Sequence, residues 1–180
     1  YGITREEVDA FAASSFAKAV AAQEAGWFAG EIVPVENESF ELAGYKTRTL
    51  KLSGKNPVAD RDTHPRPTPP KVLARLRSVF PGGVQTGGNS SALVDAAAAA
   101  VVASGAYVRA EGKKPLARVV AAAVVGVAPE IMGIGPAPAI QLLLERAGLK
   151  LDDIGRFEIN EAQGAQTLAV GRELGLDLDK

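Results

Sequence analysis

The run Arg156-Phe157-Glu158-Ile159-Asn160-Glu161-Ala162 is where residue type and spacing offer chemistry most directly. A short apolar-rich stretch, readable as a buried strand, ends in an Asn-Glu pair, and a helix-forming run starts at once. A carboxamide and a carboxylate at a strand exit face a cleft. The unpaired N–H groups of a following helix N-terminus would favour negative charge developing there. A second reading stands beside this one: Asn160 as helix N-cap and Glu161 in the first turn against the macrodipole.

Other constellations are weaker. Thr86-Gly87-Gly88-Asn89-Ser90-Ser91 is a glycine-rich turn with hydroxyls at an expected helix start. A plain N-cap explains one serine and the glycines but not the crowding of Thr, Asn and two Ser, so ligand contact competes with it. Asp60, Asp62 and His64 alternate as metal ligands might, yet their segment has no rigid frame and reads better as a solvated acidic loop. Gly133-Ile134-Gly135 suggests a dinucleotide loop, but Pro136 removes an N–H and Pro138 takes the third small position; a turn into a helix is the better account. Arg66, between prolines, is rigidly presented and suits either a phosphate or solvent, while Met132, the only methionine, is by default a core filler. With no cysteine, the chain has no disulfide, no thiolate metal site and no cysteine nucleophile of its own, and a lone His64 makes a Ser-His-Asp arrangement hard to build.

The elements that must position these groups alternate in type. Thr4 to Glu7 forms a capping box, and Val8, Phe11, Ala12, Ala19 and Val20 recur at helical spacing up to a C-capping Gly26. Glu31 to Val35 predicts a short edge strand, because Pro34 cannot donate to a ladder. Residues 36–83 are proline-rich and charged, a loop-rich excursion with one helix at roughly 70–80; excursions of this length are usually functional, a lid or a binding region. After it come a brief strand at 84–86, a helix at 92–104 ended by Gly105, and a β-branched strand at 116–127. A helix starting at Pro136 or Pro138 and running to Gly148, the 156–159 strand and a helix at 161–174 complete the order. This alternation signals an α/β protein, and both ends read as cut from a larger fold.

Bulk properties narrow the class further. Apolar residues make up 47% of 180, enough for a core, and 20 basic against 21 acidic side chains argue against general affinity for nucleic acid or anionic membrane. No run of about 18 apolar residues suggests a membrane span, and no signal peptide is visible.

Taken together, the segments resemble the thiolases, the acyl-CoA acyltransferase family. Thr86 to Ser91 is similar to the family's Thr-Ala-Gly-Asn-Ala-Ser stretch, and Pro129-Glu130-Ile131-Met132-Gly133-Ile134-Gly135-Pro136 follows the family segment almost letter for letter. Glu158-Ile159-Asn160-Glu161-Ala162 is similar to its Asn-Glu-Ala-Phe motif, and Tyr1 to Glu6 with Asp9 to an earlier helix. The resemblance implies a layered αβαβα fold, here incomplete. Residues 1–35 would end the N-terminal half, 36–83 would form a CoA-binding loop domain, and 84–180 would complete that half and begin the C-terminal one. It implies thiolysis of a 3-oxoacyl-CoA or Claisen condensation through a cysteine acyl-enzyme, with both cysteines and the assisting histidine outside this segment. On the same basis Asn160 holds an oxyanion-hole water, with Glu161 beside it as a second catalytic position. Ser91 and Gly87 meet pantetheine, Arg66 the nucleotide end, and Phe80 packs on CoA. Met132 lines the acyl pocket, and Gln163 stands where the family usually has Phe, opening or polarising the wall. Gly87 for Ala and Ala92 for Gly are further departures. CoA enters as substrate, with no other cofactor and no metal. A homodimer or homotetramer, a role in fatty-acid metabolism such as β-oxidation, and a cytoplasmic or organellar-matrix location follow as expectations. A non-catalytic thiolase-like CoA-binding protein is the alternative.

Overall fold

A computed structural model describes residues 1–52, 54 and 56–178. Helix α1 spans Arg5–Glu24, and its start is the capping box expected: the Thr4 hydroxyl accepts from the Glu7 N–H while the Glu7 carboxylate accepts from the Thr4 N–H. Ala25 is the C-cap and Gly26 follows at φ 74°, a left-handed position that glycine takes without a Cβ penalty. Val8 and Ala12 are buried, one turn apart on one face.

The excursion contains two small antiparallel sheets. β1 (Val35–Glu36) pairs with β4 (Val58–Ala59), and β2 (Glu38–Phe40) pairs with β3 (Arg48–Leu50) in the register Glu38 with Leu50, Ser39 with Thr49 and Phe40 with Arg48. The Ser39 and Thr49 hydroxyls hydrogen-bond across the second ladder at 3.1 Å. Strands this short leave no periodicity in the sequence. The strand expected at Glu31–Val35 begins only at Val35, because the amides of Glu31 and Ile32 turn back to the Phe28 carbonyl.

Helix α2 is Pro70–Leu73, much shorter than the 70–80 expected. Past Leu73 the chain tightens into i→i+3 turns, Arg75 N–H to the Val72 carbonyl and Leu76 N–H to the Leu73 carbonyl, and the Arg5 guanidinium takes the Leu73 and Leu76 carbonyls at 2.6 Å and 3.0 Å. Neither the 84–86 strand nor the 92–104 helix forms. Ser90 and Ser91 are drawn into pairing with the chain around Gln163 instead of capping a helix. The alanine-rich run beyond them has almost no burial to offset the cost of helix nucleation. Ser104 then reverses its expected role. It is the N-cap of α3 (Gly105–Ala110), its hydroxyl accepting from the Tyr107 N–H.

Residues 116–127 carry no ladder among the described residues, although Ala121, Ala123, Val125 and Val127 are half-buried and the residues between them exposed. Residues 156–159 alternate likewise, Phe157 and Ile159 in and Arg156 and Glu158 out. Composition set the extended backbone; the neighbour needed for a ladder is a tertiary matter. The turn expected at Gly133–Pro136 is the end of a 3₁₀ helix, Pro129–Ile134, that leads into α4 (Pro136–Ala147), which Gly148 closes at φ 65°. A second 3₁₀ turn at Leu151–Asp153 precedes α5 (Gly164–Leu174). α5 starts three residues later than expected, because the chain at 161–163 is still pairing with Ser90 and Ser91.

The core lies where α1, α2, α4 and α5 meet: Val8, Leu73, Ala137 and Val170 are buried, together with Asp9, Thr86, Asn89 and Thr167. Arg172 ties α5 to the chain start, donating to the Tyr1 carbonyl at 2.6 Å and pairing with Glu7. Among the described residues, no helix is long and apolar enough to cross a membrane.

Candidate functional site

One face of α1 forms the apolar wall of a cleft of about 350 Å³: Phe11, Ala12, Ser15, Phe16 and Ala19, a stripe at helical spacing. The facing walls are Gly88–Ser91 and Glu158–Glu161 with Gly164, and His64 and Pro65 close the rim. Two segments 70 residues apart in sequence are thereby brought together. The Ser91 N–H donates to the Ala162 carbonyl at 3.0 Å, and the Gly164 N–H to the Asn89 carbonyl at 2.9 Å.

The glycine-rich turn is held from beneath. The Asn89 amide donates to Asp9 Oδ1 at 2.8 Å and to the Val84 carbonyl at 3.0 Å, and its oxygen accepts from the Thr86 N–H at 2.7 Å. Thr86 Oγ1 accepts from the Gly88 N–H, and Arg5 Nε donates to Asp9 Oδ2 at 2.8 Å. The crowding of polar residues in this turn thus has a structural part: Thr86 and Asn89 are buried and their side chains hold the turn, while Ser90 and Ser91 are more open. Gly88 is required, since a Cβ there would lie 2.7 Å from Leu73 Cδ2 and would also overlap Leu76; Gly87 faces open space.

Asn160 and Glu161 line the cleft together. The capping alternative for them is overturned. Gln163 is the N-cap of α5, Glu161 precedes the helix, and the first amide of α5 is committed to the Asn89 carbonyl rather than aimed at the cleft. The Glu161 carboxylate instead accepts from the Ser15 hydroxyl at 2.5 Å, tying the 158–161 wall to α1. Arg66 lies just outside the lining, its Cζ 5.8 Å from the Phe16 ring centre and its Nη1 donating to the His64 carbonyl. The His64 and Phe16 ring centres are also 5.8 Å apart.

Of the substrate-binding residues expected from sequence, Ser91 lies in the cleft and Arg66 beside it. Gln163 is half-buried behind Ser90, in the bridge between the two walls. Phe80, Gly87 and Met132 are exposed and line other surface; Met132, 71% exposed, is no core filler here. Sequence reasoning missed the α1 wall and His64. The first had a signal, a serine set among Ala12, Phe16 and Ala19 on one helical face; the second, reached by a loop, had none. Among the described residues no three His, Asp or Glu side chains gather as a metal site.

Residues 1–106 match the family model for the thiolase N-terminal domain, and residues 113–180 match that for the thiolase C-terminal domain. The chain belongs to the thiolase family. It is 46% identical over 176 residues to an acetyl-CoA acetyltransferase of Syntrophomonas wolfei, covering 97% of this chain and 41% of that protein. It is 46% identical over 182 residues to a 3-ketoacyl-CoA thiolase of Erwinia tasmaniensis, covering 100% and 44%. The crystal structure of the Bacillus anthracis acetyl-CoA acetyltransferase superposes with a TM-score of 0.79 at 38% identity, over 100% of this chain and 43% of that one. The fold is therefore the thiolase-like α/β fold, and this thiolase chain spans less than half the length of the relatives it matches.

Proposed function

We propose that this thiolase segment contributes the pantetheine-facing part of an acyl-CoA site in an acyltransferase that thiolyses 3-oxoacyl-CoA or runs the reverse condensation. The observation that carries the reading is the joining of Ser91 to the Asn160–Ala162 segment across one cleft. In this proposal Ser91 and Gly87 meet the pantetheine arm. Arg66, rigid between prolines and beside Phe16, takes the nucleotide end, with Phe80 packing on CoA. Met132 and Gln163 lie toward the acyl group. Asn160 orients a water toward the thioester oxygen as it becomes negative, a preorganised donor worth about 3 kcal/mol of barrier, and Glu161, fixed by Ser15, supports that position. The nucleophile that takes the acyl group is a cysteine outside these 180 residues, which contain none. Residues 36–83 act as the CoA-binding loop domain. The working protein is a homodimer or homotetramer with acyl-CoA and CoA as its ligands.

Titration calorimetry of the chain with CoA, beside Ser91→Ala, tests the binding half. Saturable binding weakened about fivefold or more by the substitution supports it, since a lost hydrogen bond is worth about 1 kcal/mol. No binding by the unsubstituted chain sinks it. In the thiolase-length protein, CoA binding without thiolysis of acetoacetyl-CoA or a longer 3-oxoacyl-CoA would favour a non-catalytic CoA-binding role.

A further inference from the structure

Asn89 lines the cleft yet is only 3% exposed, and its side-chain amide and backbone carbonyl are committed to hydrogen bonds that build the cleft. Its amide nitrogen bridges Asp9 of α1 and the Val84 carbonyl, and its amide oxygen takes the Thr86 N–H. Its backbone carbonyl receives the Gly164 N–H at the start of α5, and two residues on, the Ser91 N–H reaches Ala162. Asp9 is in turn oriented by Arg5, whose guanidinium also takes the Leu73 and Leu76 carbonyls. Helix α1 and the glycine-rich wall therefore meet at the Asn89 side chain, the facing wall joins at its backbone carbonyl, and the end of α2 is tied in through Arg5. We infer that Asn89, clamped by Asp9, is the positioning residue that sets the register between Ser91 and the Asn160–Glu161 wall.

The chemistry demands an amide. One atom must accept from Thr86 while the other donates twice, to a carboxylate and a carbonyl. Asn89→Asp keeps the volume and the acceptor but sets a second carboxylate against Asp9. The two cannot both ionise at hydrogen-bond distance, so a shared proton restores one donor when the pH falls.

The test compares the unsubstituted chain with Asn89→Asp and Asn89→Ala, reading amide hydrogen-exchange protection at Gly164 and Ser91 and calorimetric affinity for CoA from about pH 7.5 to about pH 5. Protection at both amides is expected to fall at least tenfold in both variants near neutral pH. It should recover with acidification in Asn89→Asp alone, a pH signature that loss of packing volume would not give. CoA affinity should fall about tenfold in parallel; this arm alone rests on the function proposed above. If the unsubstituted chain binds no CoA, that function fails while the exchange data still judge Asn89. Protection within about twofold of the unsubstituted chain in both variants overturns the inference. So does an Asn89→Asp defect that ignores pH. Should Asn89→Asp be unfolded near neutral pH, refolding on acidification counts for the inference and persistent unfolding against it.

Discussion

Gly87 and Gly88 are adjacent, neither sits at a left-handed φ, and they differ in what an added methyl would meet. At Gly87 a Cβ finds nothing within 4 Å. Alanine there should stabilise by about 0.4–1 kcal/mol through the lost freedom of the unfolded chain. At Gly88 the same atom would lie 2.7 Å from Leu73 Cδ2, against the roughly 3.5–4 Å at which two carbons attract. Leu76 is 39% exposed and can swing its overlapping methyl outward, but Leu73 is completely buried and has nowhere to go. Overpacking of that kind costs about 1–3 kcal/mol. Because the gain from losing glycine's freedom is common to both variants, the difference between Gly87→Ala and Gly88→Ala isolates the clash at about 1–3 kcal/mol. For a chain of this size that is about 2–12 °C in melting temperature. Urea titration of the two variants at equal m-value measures it. Adding Leu73→Ala to Gly88→Ala should then cost less than Leu73→Ala alone, which by itself should cost about 2–5 kcal/mol, since the new methyl fills part of the cavity. Equal stability of the two glycine variants, or strict additivity with Leu73→Ala, would refute this account of the turn.

Other outcomes follow from the same contacts. The Thr4 backbone N–H, then the Arg172 guanidinium, hold the Glu7 carboxyl below its ordinary value of 4.5. A depressed folded-state value contributes stability above the unfolded value that is lost as pH falls through the folded one, so Glu7→Gln should melt lower than the unsubstituted chain at neutral pH and converge with it in acid. Ser104→Ala removes the N-cap of a six-residue helix and should cost α3 about 1 kcal/mol, read as faster amide exchange at 107–110 with little change in global stability. Ser15→Ala frees Glu161 from α1 and should weaken CoA binding by about two- to tenfold without a matching drop in melting temperature. Thiolysis by the 180-residue chain alone should be undetectable in an assay that follows consumption of the free CoA thiol, and turnover by it would exclude the cysteine acyl-enzyme.

Some of the site could be read directly from residues. Asn160 and Glu161 stand out because a strand-like run stops there, and they do line the cleft; the capping explanation fails because the helix starts at Gly164. Thr86 and Asn89 look the same in the sequence as Ser90 and Ser91; only tertiary contacts, those of Asn89 with Asp9 and Val84 above all, separate the buried supports from the more open serines. His64 and Phe16 are 48 positions apart and no periodicity links them.

What the sequence determined by itself was whatever local free energy decides. Thr4 with Glu7 starts α1, Pro136 and Gly148 bound α4, and β-branched runs stay extended, because caps, fixed φ and χ1 restriction act within a few residues. Tertiary structure alone decided where α2 stops, why alanine-rich 92–104 is not a helix, and that Ser91 faces Asn160. Those outcomes turn on what lies far along the chain: an arginine at two carbonyls, a carbonyl that takes an amide and, for 92–104, almost nothing packed against it. A hydrogen-bonding group commits to whichever partner folding brings within about 3 Å.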